Sequence, residues 1–287
     1  MGIRSVIRSA RRPSRRAVLT SVAAVAMTSV VGGVAYSAGA ATQQPAIQTS
    51  TPRSEKQVTN IDVLRQQLRN YYGDPLGTGT FTDTSNYAKE ARSVAAAGKR
   101  WISVPHHTRR TKAVLLDVDD TALATWNYEI FSNWAFNPTT NADFVLGQRF
   151  PAVPGMVDLV KTAEREGYAI FFLTGRGAAQ EQATLGNLTA DGIGIDAGYP
   201  KPTTLRNGED GLFTKPAVAD YPAYLKQACA GDPNGSCTTI HYKSATRAHI
   251  ESLGYDIVAN FGDQFSDLKG GFADRTFKLP NPNYYLP

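Results

Sequence analysis

The stretch AVLLDVDDTALA, residues 113–124, sets three carboxylates, Asp117, Asp119 and Asp120, directly behind a run of aliphatic residues. A short, unbroken apolar run is the pattern of a strand buried on both faces, as in parallel sheets covered by helices. In such sheets ligands collect beyond the carboxyl ends of the strands. Acids at that point are held by a rigid core element, which explains why the densest negative patch follows the most apolar short segment.

Reading outward, the pattern repeats. YAIFFLT (168–174), TTIHYK (238–243) and YDIVANFGD (255–263) are predicted as further strands. PGMVDLVKTAEREG (154–167), GAAQEQATLGNLTADG (177–192) and SATRAHIESLG (244–254) are predicted as the helices between them. Upstream, NIDVLRQQLRNYY (60–72) opens on a capping residue and places Leu64, Leu68 and Tyr71 at helical spacing, and SNYAKEARSVAAAGK (85–99) predicts a second helix. Both precede the first strand and are expected to pack outside the sheet. The alternation predicts an α/β fold with three layers, a Rossmann-like parallel sheet with helices on both faces. Four predicted strand ends then carry polar groups: Asp117 with Asp119, Thr174, Lys243, and Asp263 with Asp267.

The charge balance is misleading until the N-terminus is read separately. Six arginines (Arg4, Arg8, Arg11, Arg12, Arg15, Arg16) fall in the first sixteen residues, ahead of an uncharged Ala-, Val-, Ser-, Thr- and Gly-rich run ending at Ala38-Gly39-Ala40. Residues 1–40 are read as a cleaved export signal, and SRRAVL (14–19) resembles a twin-arginine signal. A permanent anchor is the competing reading, but the run is only weakly hydrophobic. Without those six arginines, 24 basic residues face 25 acids, so the formal charge falls from +5 to −1. That balance argues against nucleic acid or an anionic membrane as partner. Residues 41–59 are polar and aperiodic and read as a linker, leaving 60–287 as the folded domain. Cys229 and Cys237, eight apart in a turn-rich segment, are expected to form one small disulfide after export, with two free thiols as the alternative. No metal-type spacing links His106, His107, His241 and His249.

DVDDT (117–121), FFLTGR (171–176), YKSATR (242–247) and GDQFSD (262–267) resemble, in order, motifs one to four of the haloacid dehalogenase (HAD) superfamily of aspartate-based phosphohydrolases. The closer resemblance is to its acid phosphatase branch, subfamily IIIB, which includes secreted bacterial acid phosphatases and plant vegetative storage proteins. It covers residues 60–280 or so, and implies a HAD-type fold with a small cap insert at 122–153.

What the resemblance implies is a Mg²⁺-dependent phosphomonoesterase. Asp117 would be the nucleophile that forms an aspartyl-phosphate. Asp119 would be general acid and then general base, an assignment that favours acidic pH. Lys243 would bind the phosphate oxygens, together with the Thr174 hydroxyl and the backbone at Gly175. Asp117, the Asp119 carbonyl and Asp263 would hold Mg²⁺, and Asp267 would act through a water or orient Lys243. Arg176 and Arg247 would contact substrate or brace the acids, with a surface ion pair equally open for each. Asp120 is expected to point away.

The insert carries seven aromatics, Trp126, Tyr128, Phe131, Trp134, Phe136, Phe144 and Phe150. Most are expected to pack it down, whereas Trp126 and Tyr128, nearest the acids, are expected to stack on an aryl or nucleobase leaving group. A second insert, 192–238, is expected to form the other wall of the entrance. Two readings stand beside hydrolysis: a storage or ligand-binding protein with vestigial activity, and a phosphotransferase using the same residues.

Overall fold

The computed structural model describes residues 51–205 and 208–286. The predicted export signal and the first part of the predicted linker lie outside the described residues. Within them, no helix is long and apolar enough to cross a membrane.

The described residues build one five-stranded parallel sheet in the order β3-β2-β1-β4-β5, with β1 (Thr111–Leu116), β2 (Ala169–Gly177), β3 (Leu212–Lys215), β4 (Tyr255–Gly262) and β5 (Thr276–Lys278). β1 is central, and its side chains alternate between two apolar layers because successive residues of a strand face opposite ways. Val114 and Leu116 face one core, shared with Ala91, Ala95 and Ile102 of α2 (Asn86–Ile102) and with Leu159, Val160 and Ala163 of α5 (Met156–Arg165). Ala113 and Leu115 face the other, shared with Leu225 of α7 (Ala223–Ala228) and with Tyr242 and Ile250 of α8 (Thr239–Ser252). The sheet is therefore covered on both faces, as its continuous apolar strands require.

Two details hold α2 against the sheet. A Cβ on Gly98 would come within 2.6 Å of both Leu159 Cδ1 and a Phe261 ring carbon, so only glycine lets the helix approach this closely. Beside it, β4 carries one extra residue, since Ala113 pairs Ile257 and Val114 pairs Ala259; the carbonyl of the skipped Val258 accepts the Trp101 indole N–H at 2.9 Å.

The chain steps from β1 through β2 to β3 on one side and returns to β4 and β5 on the other. The crevice between the carboxyl ends of β1 and β4 is thus the switch point where doubly wound sheets bind ligands. The first insert holds α3 (Trp126–Ser132) and α4 (Pro138–Leu146), and its ends pair antiparallel through Ala124 N–H to Pro151 O (2.8 Å) and Val153 N–H to Ala122 O (2.9 Å). α1 (Ile61–Tyr72) packs Tyr72 on Tyr87 and Trp126, so it clasps the insert rather than the sheet.

The structure corrects the sequence reading in three places. Residues 238–243 are the cap and first turn of α8, not a strand. The second insert supplies the edge strand β3 and the helix α7, so it belongs to the sheet and its cover rather than only to the entrance. The helix expected at 177–192 is shorter, because β2 runs on to Gly177 and α6 spans Glu181–Leu188. Cys229 and Cys237 are joined and buried just ahead of α8.

Candidate active site

Asp117 follows β1 without leaving the ladder, its N–H still donating to Phe261 O at 2.9 Å. The Lys243 ammonium comes from the first turns of α8. It donates to Asp117 Oδ1 and to Leu173 O (2.7 Å), and lies 3.1 Å from Asp267 Oδ1. A helix delivers this lysine because Thr238 Oγ1 accepts the His241 N–H (3.2 Å), Asp232 Oδ2 accepts the Thr238 N–H (3.0 Å), and the disulfide pins the chain before the cap. That capping outweighs the strand preference of Thr238, Thr239, Ile240 and Tyr242.

Asp263 follows β4, and both of its oxygens are engaged. Oδ2 accepts from Gln264 Nε2 (2.6 Å) and Asn281 Nδ2 (2.7 Å), and Oδ1 from Thr121 Oγ1 (3.3 Å). Asp267 Oδ2 accepts the Gln264 N–H (2.9 Å) at the start of the short helix α9 (Phe265–Leu268). Gly262 leaves room for it, since a Cβ there would sit 2.4 Å from Asp267 Cβ.

Asp117, Asp263 and Asp267 are all buried, and each offers an oxygen within 4.8 Å of the others. Three carboxylates face one ammonium. Burial lifts Asp117 to about 7, with Lys243 opposing and Asp267 and Asp119 adding to the shift. Burial together with Asp267 and Asp117 pushes Asp263 well up. For Lys243 burial acts downward, and the two carboxylates more than reverse it, holding the amine protonated. Hard oxygen donors carrying an excess of negative charge fit a hard divalent cation.

Asp119 lies at the mouth, its side chain 30% exposed, where Arg176 grips it through Nη2 to Oδ1 (2.6 Å) and Nε to Oδ2 (3.1 Å). Arg176 is itself buried, donating from Nη1 to Thr184 Oγ1 (3.1 Å) and lying over the Phe150 ring, so it braces Asp119. Thr174 is buried with Oγ1 accepting the Arg176 N–H (3.1 Å), and a side chain on the neighbouring Gly175 would meet nothing within 4 Å, leaving its backbone approachable. Asp120 turns away with φ 52°, a conformation aspartate tolerates, and its oxygens accept the Thr125 N–H (2.9 Å) and hydroxyl (2.6 Å).

Three expected substrate contacts are corrected. Arg247 is 0% exposed and donates to the carbonyls of Asp267 (2.7 Å), Gly271 (2.8 Å) and Lys269, so it ties down the loop after α9. Trp126 is 1% exposed, stacked on Tyr72 at 4.0 Å with its indole N–H on Asp74 Oδ2 (3.0 Å). Tyr128 is 1% exposed, its hydroxyl donating to Asn137 O (2.9 Å). All three are consumed by packing.

The sequence reading missed Thr121, Gln264 and Asn281. Gln264 stands three residues before Asp267, a capping-box spacing that could have flagged it. Asn281, between Pro280 and Pro282, carries no local signal because its partner lies 18 residues away.

Fold and site together define a doubly wound α/β protein with a buried acid–amine cluster at its switch point. The chain belongs to the HAD superfamily, subfamily IIIB (Acid phosphatase), whose family model matches residues 34–287. It is similar to vegetative storage protein 2 of Arabidopsis thaliana (29% identity; 60% of this chain, 56% of that protein) and to acid phosphatase 1 of Solanum lycopersicum (28%; 60% and 58%). The chain thus spans little more than half the length of these curated relatives. Among solved structures it resembles the class C acid phosphatase from Bacillus anthracis, with a TM-score of 0.52 at 20% identity over 70% of this chain and 80% of that one. The tungstate-bound form of that enzyme gives 0.55 at 19% over 77% and 85%. At this identity the likeness concerns the fold.

Proposed function

We propose that this protein is a secreted, Mg²⁺-dependent acid phosphatase that hydrolyses phosphate monoesters through an aspartyl-phosphate. The observation that carries the reading is the convergence of Asp117, Lys243, Asp263 and Asp267 between the carboxyl ends of β1 and β4.

In this reading Asp117 attacks phosphorus and the ester oxygen leaves with a proton from Asp119. Water then attacks the phosphoryl group, gives its proton to Asp119, and inorganic phosphate departs as Asp117 is regenerated. Lys243 offsets phosphate charge, and the Thr174 hydroxyl and Gly175 backbone hydrogen-bond its oxygens. A divalent cation held by Asp117, Asp263 and the Asp119 carbonyl, with Asp267 near or beyond it, would lower the repulsion between carboxylate and phosphate dianion. Arg176 keeps Asp119 aimed at the mouth of the site, where it gives its proton in the first half-reaction and takes one from water in the second. Residues 1–40 support export, 41–59 a linker, and 60–287 the catalytic domain.

The test is aryl phosphate hydrolysis between about pH 4 and 8 by the wild type and Asp117→Asn, each with Mg²⁺ and with chelator. Activity confined to Mg²⁺-loaded wild type is the expected result, with a loss of about 10⁴-fold or more in the variant. Equal rates for the two proteins would overturn the nucleophile assignment.

A further inference from the structure

The chain's last residues reach the acid cluster that the proposed function uses, and they do so through two side-chain amides whose orientation is fixed. Asn281 Oδ1 accepts the Asn283 N–H (2.9 Å), which leaves its Nδ2 facing Asp263 Oδ2 at 2.7 Å. Gln264 Oε1 accepts the Leu286 N–H (2.9 Å), which leaves its Nε2 on the same Asp263 oxygen at 2.6 Å. Asn281 Nδ2 also lies 3.5 Å from Asp120 Oδ2. The strap is tied down elsewhere: Asn283 Nδ2 donates to Tyr72 Oη (2.8 Å), Trp134 Nε1 to Asn283 Oδ1 (3.2 Å), and Ser266 Oγ to Leu286 O (3.2 Å).

We infer that Asn281 is a positioning residue for the metal site, and that the C-terminal strap 281–286 sets which oxygen of Asp263 meets the cation. Two amide donors converge on Oδ2, whereas Oδ1 has only the longer Thr121 contact. Oδ1 is therefore the oxygen left for the cation, and the carboxylate cannot rotate to exchange the two without breaking both amide bonds. Outer-shell donors of this kind orient a ligand and tune its basicity, and losing one weakens metal binding by about 10- to 100-fold. A residue with no charge, far from the motifs in sequence, acts on the site through Asp263.

The inference rests on the proposed metal-dependent reading, and one titration separates their failures. Mg²⁺ alone, with no substrate, is titrated into chelator-treated wild type, Asn281→Leu and Asn281→Ser, following heat of binding and thermal unfolding. Wild type is expected to bind Mg²⁺, and both variants to bind about 10- to 100-fold more weakly. Hydrolysis by the variants should recover as Mg²⁺ is raised, with KM for aryl phosphate unchanged. A purely structural role would lower the unfolding temperature of the chelated protein but leave the Mg²⁺ midpoint where it was, and that result overturns the inference while the function stands. Absence of any Mg²⁺ response in wild type overturns both. The serine variant keeps the test usable if leucine prevents folding.

Discussion

Two buried carboxylate sites, Asp74 beside Trp126 and Asp117 with Asp263 at the switch point, have opposed environments. Asp74, in the loop after α1, receives four donors: the Thr78 N–H (2.8 Å) and hydroxyl (2.9 Å), the Gly79 N–H (2.8 Å) and the Trp126 indole (3.0 Å). Burial alone would raise its pKa, but those donors outweigh it and hold the carboxyl below the ordinary range. At the carboxyl ends of β1 and β4, Asp117 and Asp263 are also buried, yet burial and repulsion from neighbouring carboxylates, Asp267 foremost for each, push both upward. A carboxylate whose work is to hold the fold is satisfied by the fold. Carboxylates left short of positive charge at a switch point are set for a cation and a phosphate.

The sharpest test of that contrast is Lys243→Met, which removes the only ammonium bonded to Asp117 among the described residues. It should lower kcat for aryl phosphate by at least about 10²- to 10³-fold. It should also destabilise the chelated protein by about 3–5 kcal/mol, because buried acids lose their counter-charge. Steady-state kinetics and denaturant unfolding read the two effects, and an active variant would remove the amine from the chemistry. Asp74→Ala is the counterpart at the other site. Leaving the buried Trp126 N–H and the loop donors unpaired should cost about 2–3 kcal/mol, with kcat per folded molecule within a few-fold of wild type. A large fall in kcat at unchanged stability would show that the two sites are not separate.

The same contrast predicts opposite pH slopes. Asp74 has a lowered folded pKa, so its contribution is present above the ordinary value of 3.8 and is lost as pH falls through the folded value. Asp117 is raised from 3.8 to about 7, so its contribution is full below 3.8 and lost as pH rises through 7. Thermal unfolding in chelator should therefore lose a few degrees between about pH 4 and 7, and Asp117→Asn should flatten that slope. Mg²⁺ should stabilise most at the upper end, where its ligands are deprotonated. Equal slopes with and without Mg²⁺ would count against the cluster as its site.

What could be read from the sequence follows the same division. Asp117, Asp119, Thr174, Lys243, Asp263 and Asp267 were legible because each lies in a short motif beside an apolar strand or in the run leading into a helix. Their convergence follows from the order of those elements in a parallel sheet. The sequence puts Lys243 on a strand: the run before it has β-branched and aromatic residues, and the Thr238 cap becomes a helix start only with Asp232 and the disulfide, both outside the run, holding it. Arg247 reads as a substrate contact or a brace for the acids because its partners are three backbone carbonyls in and after α9, 20 to 24 residues away. Asn281 was invisible for the same reason.

Trp126 gives the smallest and most discriminating effect, since sequence position alone makes it a wall of the substrate cleft. In the fold it lies parallel to Tyr72 at 4.0 Å and 5°, with its N–H on Asp74, so its apolar face and polar edge are both engaged. Trp126→Phe keeps a ring for Tyr72 but removes the hydrogen bond and leaves a small cavity. Stability should fall by about 1–2 kcal/mol, KM for an aryl phosphate should stay the same, and a second substitution, Asp74→Ala, should add less than it does alone because the two residues share one bond. A several-fold rise in KM with unchanged stability would return the indole to the substrate and dissolve the distinction between a packed platform and an under-neutralised acid cluster.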